Sequence, residues 1–235
     1  MRVWKSLRAS LPMVAVLAAL LLVPAGLAPG GTWRWTEAWL FLGLYGGLAV
    51  VGSALLAVYR PESFEVRQQG VVAARERKQP LIDAVGSVIY AAYLASWTVF
   101  IPLDVFRLHL LPEPGLPLRI AGLAATVAGG SVAMLAVAQN RFAAPTVQDQ
   151  SADGQQVVDT GLYGVVRHPL YAGNLLAFAG AALWLGSTAA LVGVLGMLGF
   201  TLARMHVEES WLRANLPGYA AYAGRVRSRL IPFLI

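Results

Sequence analysis

Residues 159–171 read Asp-Thr-Gly-Leu-Tyr-Gly-Val-Val-Arg-His-Pro-Leu-Tyr, and from Tyr171 the chain runs on to Met205 with Arg204 as its only charged residue. That apolar run is too long for one ordinary membrane span of about 20 residues. Leu185-Gly186-Ser187-Thr188 sits at its middle and breaks it. The pattern predicts a hairpin of two helices, each of about 15–18 residues at about 1.5 Å rise per residue. Both arms are short for a full crossing. A polar and aromatic cluster brackets the hairpin at each end: Tyr163, Arg167, His168, Pro169 and Tyr171 before it, and Arg204, Glu208, Glu209, Tyr219 and Tyr222 after it. A hairpin returns to the membrane face it left, so the two clusters meet in space.

Working outward, the rest of the chain is mostly lipid-soluble. Of 235 residues 57% are hydrophobic and 13% charged, with a mean hydropathy of +0.62, against roughly 25% charged residues in a soluble domain. This predicts an all-α polytopic helical bundle of five to six spans, organised as one membrane domain: four N-terminal spans in residues 1–138, then a loop, the hairpin and a tail in residues 139–235. The first span is expected over Leu11–Ala28, behind Arg2, Lys5 and Arg8. That run also has the shape of a cleaved signal peptide, but the spans that follow make a retained helix the simpler reading. The second runs from about Ala38 to Tyr59 and stops at Arg60-Pro61, because proline has no amide hydrogen to continue a helix. Trp33, Trp35 and Trp39 before it read as an interfacial belt. The charged segment through Arg67, Arg75, Glu76, Arg77 and Lys78 reads as a solvated loop. The third span covers about Leu81 to Phe106, with Pro102 a kink site, and the fourth about Leu118 to Ala138. Residues 139–170 are then polar, and a long loop of that kind usually carries function.

Threading six crossings places every Lys and Arg except Arg34, Arg107 and Arg119 on one side, out of 18. The positive-inside rule puts that side, with both termini, the 139–170 loop and the tail, in the cytoplasm. The net charge of +6 is therefore read as topology and contact with anionic headgroups rather than nucleic-acid binding. Several chemistries are excluded. The chain has no Cys and three His, with no His-x-x-x-His pair, so no metal site is expected. No Gly-x-x-x-x-Gly-Lys loop, strand–Gly-x-Gly–helix pattern or Gly-x-Ser-x-Gly elbow occurs.

What remains is the paired cluster. His168 precedes Pro169, so its backbone avoids the helical region. It stands at a helix entrance, where unpaired amides favour an anionic group. Arg204 and Glu208 are four residues apart and share a helix face. They either pair with each other as an interfacial salt bridge or serve a ligand. Tyr219 and Tyr222 read singly as interfacial anchors, but jointly with the others they point to a site beside a hydrophobic bundle.

At these residues the sequence resembles the isoprenylcysteine carboxyl methyltransferase family, its bacterial membrane members in particular. The resemblance is carried by Gly161-x-Tyr163-x3-Arg167-His168-Pro169-x-Tyr171-x-Gly173, Arg204-x3-Glu208-Glu209-x2-Leu212, Pro217-Gly218-Tyr219-x2-Tyr222 and Arg229-Leu-Ile-Pro232. It implies an S-adenosylmethionine-dependent methyltransferase whose cofactor site is built by the loop and the hairpin. By alignment of motifs it places cofactor contacts on Gln148, Gln155, Gln156, Val157, Val158, Tyr163, His168, Pro169, Leu170 and Tyr171. The acceptor-end pair falls on Arg204 and Glu208. Gln155 stands where eukaryotic members carry histidine, and a one-residue gap before Tyr219 leaves Glu208 and Glu209 both open as the key carboxylate. The implied acceptor is a lipophilic or small molecule bearing a carboxylate, with a phospholipid amine or a thiol as alternatives. A membrane reductase of sterol type and a non-catalytic membrane scaffold are the rival classes.

Overall fold

A computed structural model describes residues 2–69, 81–143 and 154–234. Gln148, Arg75, Glu76, Arg77 and Lys78 lie outside the described residues. The regular structure among the described residues is all helical, without strands, and five of the helices are long and apolar enough to cross a membrane. In chain order they are α1 (Arg2–Leu27), α2 (Thr36–Tyr59), α3 (Pro61–Gln69), α4 (Leu81–Leu103), α5 (Leu116–Gln139), α6 (Pro169–Trp184), α7 (Ala190–Asn215) and α8 (Tyr219–Arg225). α2 contains a π-helical turn at Leu42–Gly46, and α4 continues as another through Asp104–Leu108.

Four expectations are corrected. α1 begins at Arg2, ahead of the apolar run, because Ser6 and Ser10 donate their hydroxyls to the carbonyls of Val3 and Ser6 and so carry no polar cost in the helix. The segment after Pro61 opens as a helix, not a loop, since proline suits the first helical position that it cannot occupy further in. Trp35 is buried edge-on against Phe106 rather than lying in an interfacial belt, while Trp33 and Trp39 are exposed. The hairpin is also asymmetric. α6 has 16 residues, about 24 Å, whereas α7 has 26, about 39 Å, and carries on past Met205. The helix that carries Arg204 and Glu208 therefore runs on through Trp211 to Asn215.

The hairpin turn is a Schellman motif. Gly186 takes φ +94, its amide donates to the carbonyl of Leu183, and the Ser187 amide donates to that of Ala182. Ser187 is fully buried. Its hydroxyl donates to Asp104 Oδ2 at 2.6 Å and accepts the Ala190 amide. Asp104 Oδ1 in turn accepts the Leu110 amide. Beside it Arg119 pairs with Glu37 at 2.8 Å, and the Trp184 indole donates to the Glu37 carbonyl. These bonds fasten α2, α4, α5, α6 and α7 at the end of the bundle remote from residues 159–171.

Along the bundle, α5 and α6 approach most closely. Glycines face backbone there: a Cβ added to Gly173 would stand 2.6 Å from the Gly129 carbonyl oxygen, and one on Gly122 2.8 Å from that of Gly180. Small residues that let backbones meet are the usual source of helix association in lipid, where apolar burial gives no net drive. The result is a rigid pair that delivers the start of α6 to a fixed place.

Candidate functional site

Three elements build the site at the near end. The short helical turn Gly161–Gly164 is held against α5 by the Leu162 amide, which donates to Gln139 Oε1. The following residues Arg167 and His168 leave the helical conformation, with His168 at φ −125 and ψ 59, and their amides donate to the carbonyls of Ser228 and Arg229 in the C-terminal segment, each at 2.9 Å. Pro169 then starts α6, with His168 as its N-cap.

Behind this strip lies a buried ion cluster centred on Glu209. Arg167 donates Nε to Glu209 Oε1 at 2.8 Å and Nη2 to Oε2 at 3.3 Å. His168 Nε2 lies 3.0 Å from Oε1 and Arg229 Nη2 3.4 Å from Oε2. Arg167 Nη1 also donates to the carbonyls of Val226 and Arg227. The Glu209, Arg167 and His168 side chains are each 5% exposed. Burial at this level is tolerated because each charge finds its partner and its hydrogen bonds. The cluster welds α7, the start of α6 and the C-terminal segment into one unit.

Tyr219 and Tyr222 pack under it, buried and edge-on to each other. They are not interfacial anchors: the Tyr222 hydroxyl donates to the Tyr163 carbonyl. Burial pushes both phenols well above the ordinary tyrosine value, and the nearby Glu209 charge raises them further.

In front of the cluster is a cavity of about 110 Å³. Its walls include Gln155, Gln156, Val157, Val158, Tyr163, His168, Leu170 and Tyr171, together with Arg204 and Glu208. Every expected position within the described residues is there except Pro169, which is buried at the first turn of α6 and does not line the cavity. Arg167, Tyr219 and Tyr222 line it as well, and so do Asn140, Phe142, Ala143, Trp211, Leu212 and Leu216, which were not expected in the wall. Trp211 and Leu212 continue the face of Arg204 and Glu208 by one turn. Leu212 belongs to a quoted motif, whereas Trp211 has no signal of its own in the sequence.

Glu208 and Glu209 are now distinct. Glu209 points back into the ion cluster, whereas Glu208 lines the cavity. Tyr171 stands between Glu208 and Arg204: its hydroxyl donates to Glu208 Oε2 at 2.7 Å and accepts Arg204 Nε at 3.0 Å. The His168 ring stacks on Tyr171 with 5.5 Å between centroids.

Tyr171, Arg204 and Leu170 also line a second cavity of about 580 Å³ inside the bundle. This one is walled by α1, α2, α4, α5, α6 and α7, with Met13, Leu48, Tyr90, Met134 and Phe200 among its residues. Two chambers therefore share one wall. The loop-side chamber is lined by polar and aromatic groups, and the bundle chamber is mostly apolar.

Residues 118–217 match the family model described as phospholipid methyltransferase, a family within the isoprenylcysteine carboxyl methyltransferase-like membrane methyltransferases. The matched stretch covers nearly all of α5, the loop, α6 and the whole of α7. It thus contains the shared wall and both candidate carboxylates. A comparison with curated proteins found no match. The family match together with the apolar helices supports a methyltransferase carried by a membrane protein.

Proposed function

We propose that the protein transfers a methyl group from S-adenosylmethionine to the head of a lipophilic acceptor, with the donor in the loop-side chamber and the acceptor's apolar body in the bundle chamber. The observation that carries this reading is the shared wall of Leu170, Tyr171 and Arg204 between the two chambers. Methyl transfer needs the two reactants end to end, with water excluded, and needs neither a metal nor a covalent enzyme intermediate.

The residues present suit the donor. First-turn amides of α6 lack partners in the helix and favour a carboxylate. Nε2 of His168 is occupied by Glu209, which leaves Nδ1 for a ligand. Gln155 and Gln156 offer donors and acceptors for hydroxyls or a base, and Tyr163 and Tyr171 offer aromatic faces to an adenine or a sulfonium cation. When bound, this group supplies an electrophilic methyl on a positively charged sulfur. The acceptor's lone pair would form the new bond to that methyl carbon as the C–S bond electrons returned to sulfur, and the shared wall would hold the two groups in line.

Arg204 lines both chambers, so a cation faces the acceptor head. That favours an anionic head, and a carboxylate is the first reading. A carboxylate is already ionised at neutral pH and needs no base, so Arg204 holds it and Tyr171 fixes Arg204. The family match favours a second reading, an aminophospholipid whose phosphate meets Arg204 and whose amine meets Glu208.

Calorimetry on the intact protein is expected to show S-adenosylmethionine binding, with His168→Ala and Tyr171→Ala each weakening it about tenfold, the equivalent of about 1.4 kcal/mol. Absence of binding by the intact protein overturns the proposal. Labelled donor with membrane extract then identifies the product. A carboxylate acceptor gives a rate independent of pH above about 6, whereas an amine acceptor gives a rate rising towards an amine pKa of about 10.

A further inference from the structure

Beyond the bundle chamber, further from the donor side, lies a third, smaller cavity of about 50 Å³, lined by Leu17, Leu21, Phe41, Trp97, Phe178 and others. Its walls continue those of the bundle chamber. On α1 the bundle chamber is lined by Ala9 to Met13 and the small cavity by Leu17 and Leu21. On α4 the sequence is Ser87 to Leu94, then Trp97 to Ile101, and on α6 it is Leu170 to Leu175, then Ala177 to Leu185. On α2, which runs the other way, it is Leu56 back to Leu48, then Phe41. The two cavities are thus stacked along the membrane normal. One residue lines both, Tyr45.

Tyr45 is set there by unusual local structure. It lies in the π-helical turn Leu42–Gly46, and such turns re-aim side chains and recur at functional sites. Its ring stacks on Phe41, with 5.4 Å between centroids and planes 7° apart. Facing it, α5 carries Gly130, where an added Cβ would lie 3.3 Å from the Tyr45 ring. The glycine makes room for the ring, and Phe41 holds it flat.

We propose that Tyr45 is the floor of the acceptor chamber and sets the longest apolar chain the protein accepts. This rests on the reading of the bundle chamber as the acceptor site. From Leu56 to Tyr45 the chamber wall extends about 16 Å along α2, at about 1.5 Å per residue. Below the floor, the pocket is lined by Thr98 and otherwise mainly by apolar side chains, which a longer chain could meet only if the ring were absent. Up to the floor, each added methylene gains about fourfold in affinity, from about 0.8 kcal/mol per buried methylene. Past it the gain stops.

The test uses saturated fatty acids from decanoic to octadecanoic acid, each with a diazirine at its terminal carbon, on the full-length protein in nanodiscs. Crosslinked peptides are mapped by mass spectrometry. In the natural protein the terminal carbon of the longest acid that enters is expected to label Leu48, Met134 or Tyr45, and no acid labels Leu17, Leu21 or Phe178. Tyr45→Ala is expected to move the label of the longer acids onto Leu21 and Phe178. Tyr45→Phe, which keeps the ring, is expected to retain the natural pattern, and Tyr45→Leu serves as a smaller opening should the alanine variant fail to fold. Labelling of the small cavity in the natural protein, or an unchanged pattern in both opening variants, overturns the floor while leaving the acceptor chamber standing. Absence of labelling in the bundle chamber by every acid overturns the acceptor reading itself, and the floor with it.

Discussion

Glu208 and Glu209 are adjacent in sequence but point about 100° apart around a helix, and that angle divides their work. Glu209 is enclosed by Arg167, His168 and Arg229. Removing one member of a buried ion set leaves its partners as unpaired buried charge, at a cost of about 3–5 kcal/mol. Glu209→Ala is therefore expected to lower the unfolding midpoint sharply. Glu208→Gln keeps the shape of a half-exposed side chain and is expected to leave the midpoint unchanged while methyl transfer falls. Thermal melts and turnover on both variants check this, and equal stability losses would contradict it. Tyr219 and Tyr222 make a second expectation at this scale. Their folded-state pKa values are raised above the ordinary 10 by burial. A raised folded pKa means that the native state holds its proton when the unfolded chain has begun to lose it. The stabilisation is complete below about pH 10 and is lost as pH climbs through the folded value. The unfolding midpoint is expected to fall above pH 10, with Tyr219 and Tyr222 among the tyrosines that ionise only with unfolding, seen as tyrosinate absorbance.

The helices were readable because their lengths and apolar runs match the bilayer, and Arg60-Pro61 and Leu185-Gly186-Ser187-Thr188 stop helices where they were expected to. The extension of α7 beyond Met205 was not readable by hydropathy. Past that residue the helix is held by Glu209 in the ion cluster and by Leu212 and Leu216 against α8, contacts between distant parts of the chain. The cavity wall was legible where a motif marks it, at Tyr163, His168, Tyr171 and Arg204. It was illegible at Trp211 and Leu216, which carry no signal apart from their place on that extended helix. Trp35 shows the same limit: an aromatic before a span looks interfacial until Phe106 covers it. The pair α5–α6 is the element on which the site depends most. Gly173→Ala puts a methyl against the Gly129 carbonyl oxygen and the α5 backbone, and neither can rotate aside. Overpacking of this kind costs about 1–3 kcal/mol. It also displaces the start of α6, so donor affinity is expected to fall with stability. Gly43, which has open space around it, is the control: Gly43→Ala is expected to change neither in a thermal melt or a binding titration.

Taken whole, the molecule is asymmetric along the membrane normal. Its far end is fastened by Asp104, Ser187, Arg119 and Glu37, and its near end holds the loop-side chamber, the ion cluster and the exposed cations Arg225 and Arg227. Between them, the bundle chamber lies within the spans, among side chains that face lipid on their other sides. Under the proposed function, a water-soluble donor and a lipid-soluble acceptor would meet at this wall from two different phases. Their concentrations are then set in different volumes. If the acceptor enters from the bilayer, its effective concentration is its mole fraction in the membrane, while the donor's is its concentration in water. Diluting proteoliposomes with inert phosphatidylcholine, at a fixed bulk amount of acceptor, is expected to lower the rate in proportion to mole fraction while the donor KM stays constant. A rate that follows the bulk amount and ignores dilution would instead place acceptor entry at the water-facing surface. Arg204→Ala separates binding from orientation in the same assay. Because Arg204 lines both chambers and is held by Tyr171, its loss is expected to raise the acceptor mole fraction needed for half-maximal rate and to lower the maximal rate together. A purely structural arginine would lower the amount of folded enzyme and leave the half-maximal mole fraction where it was.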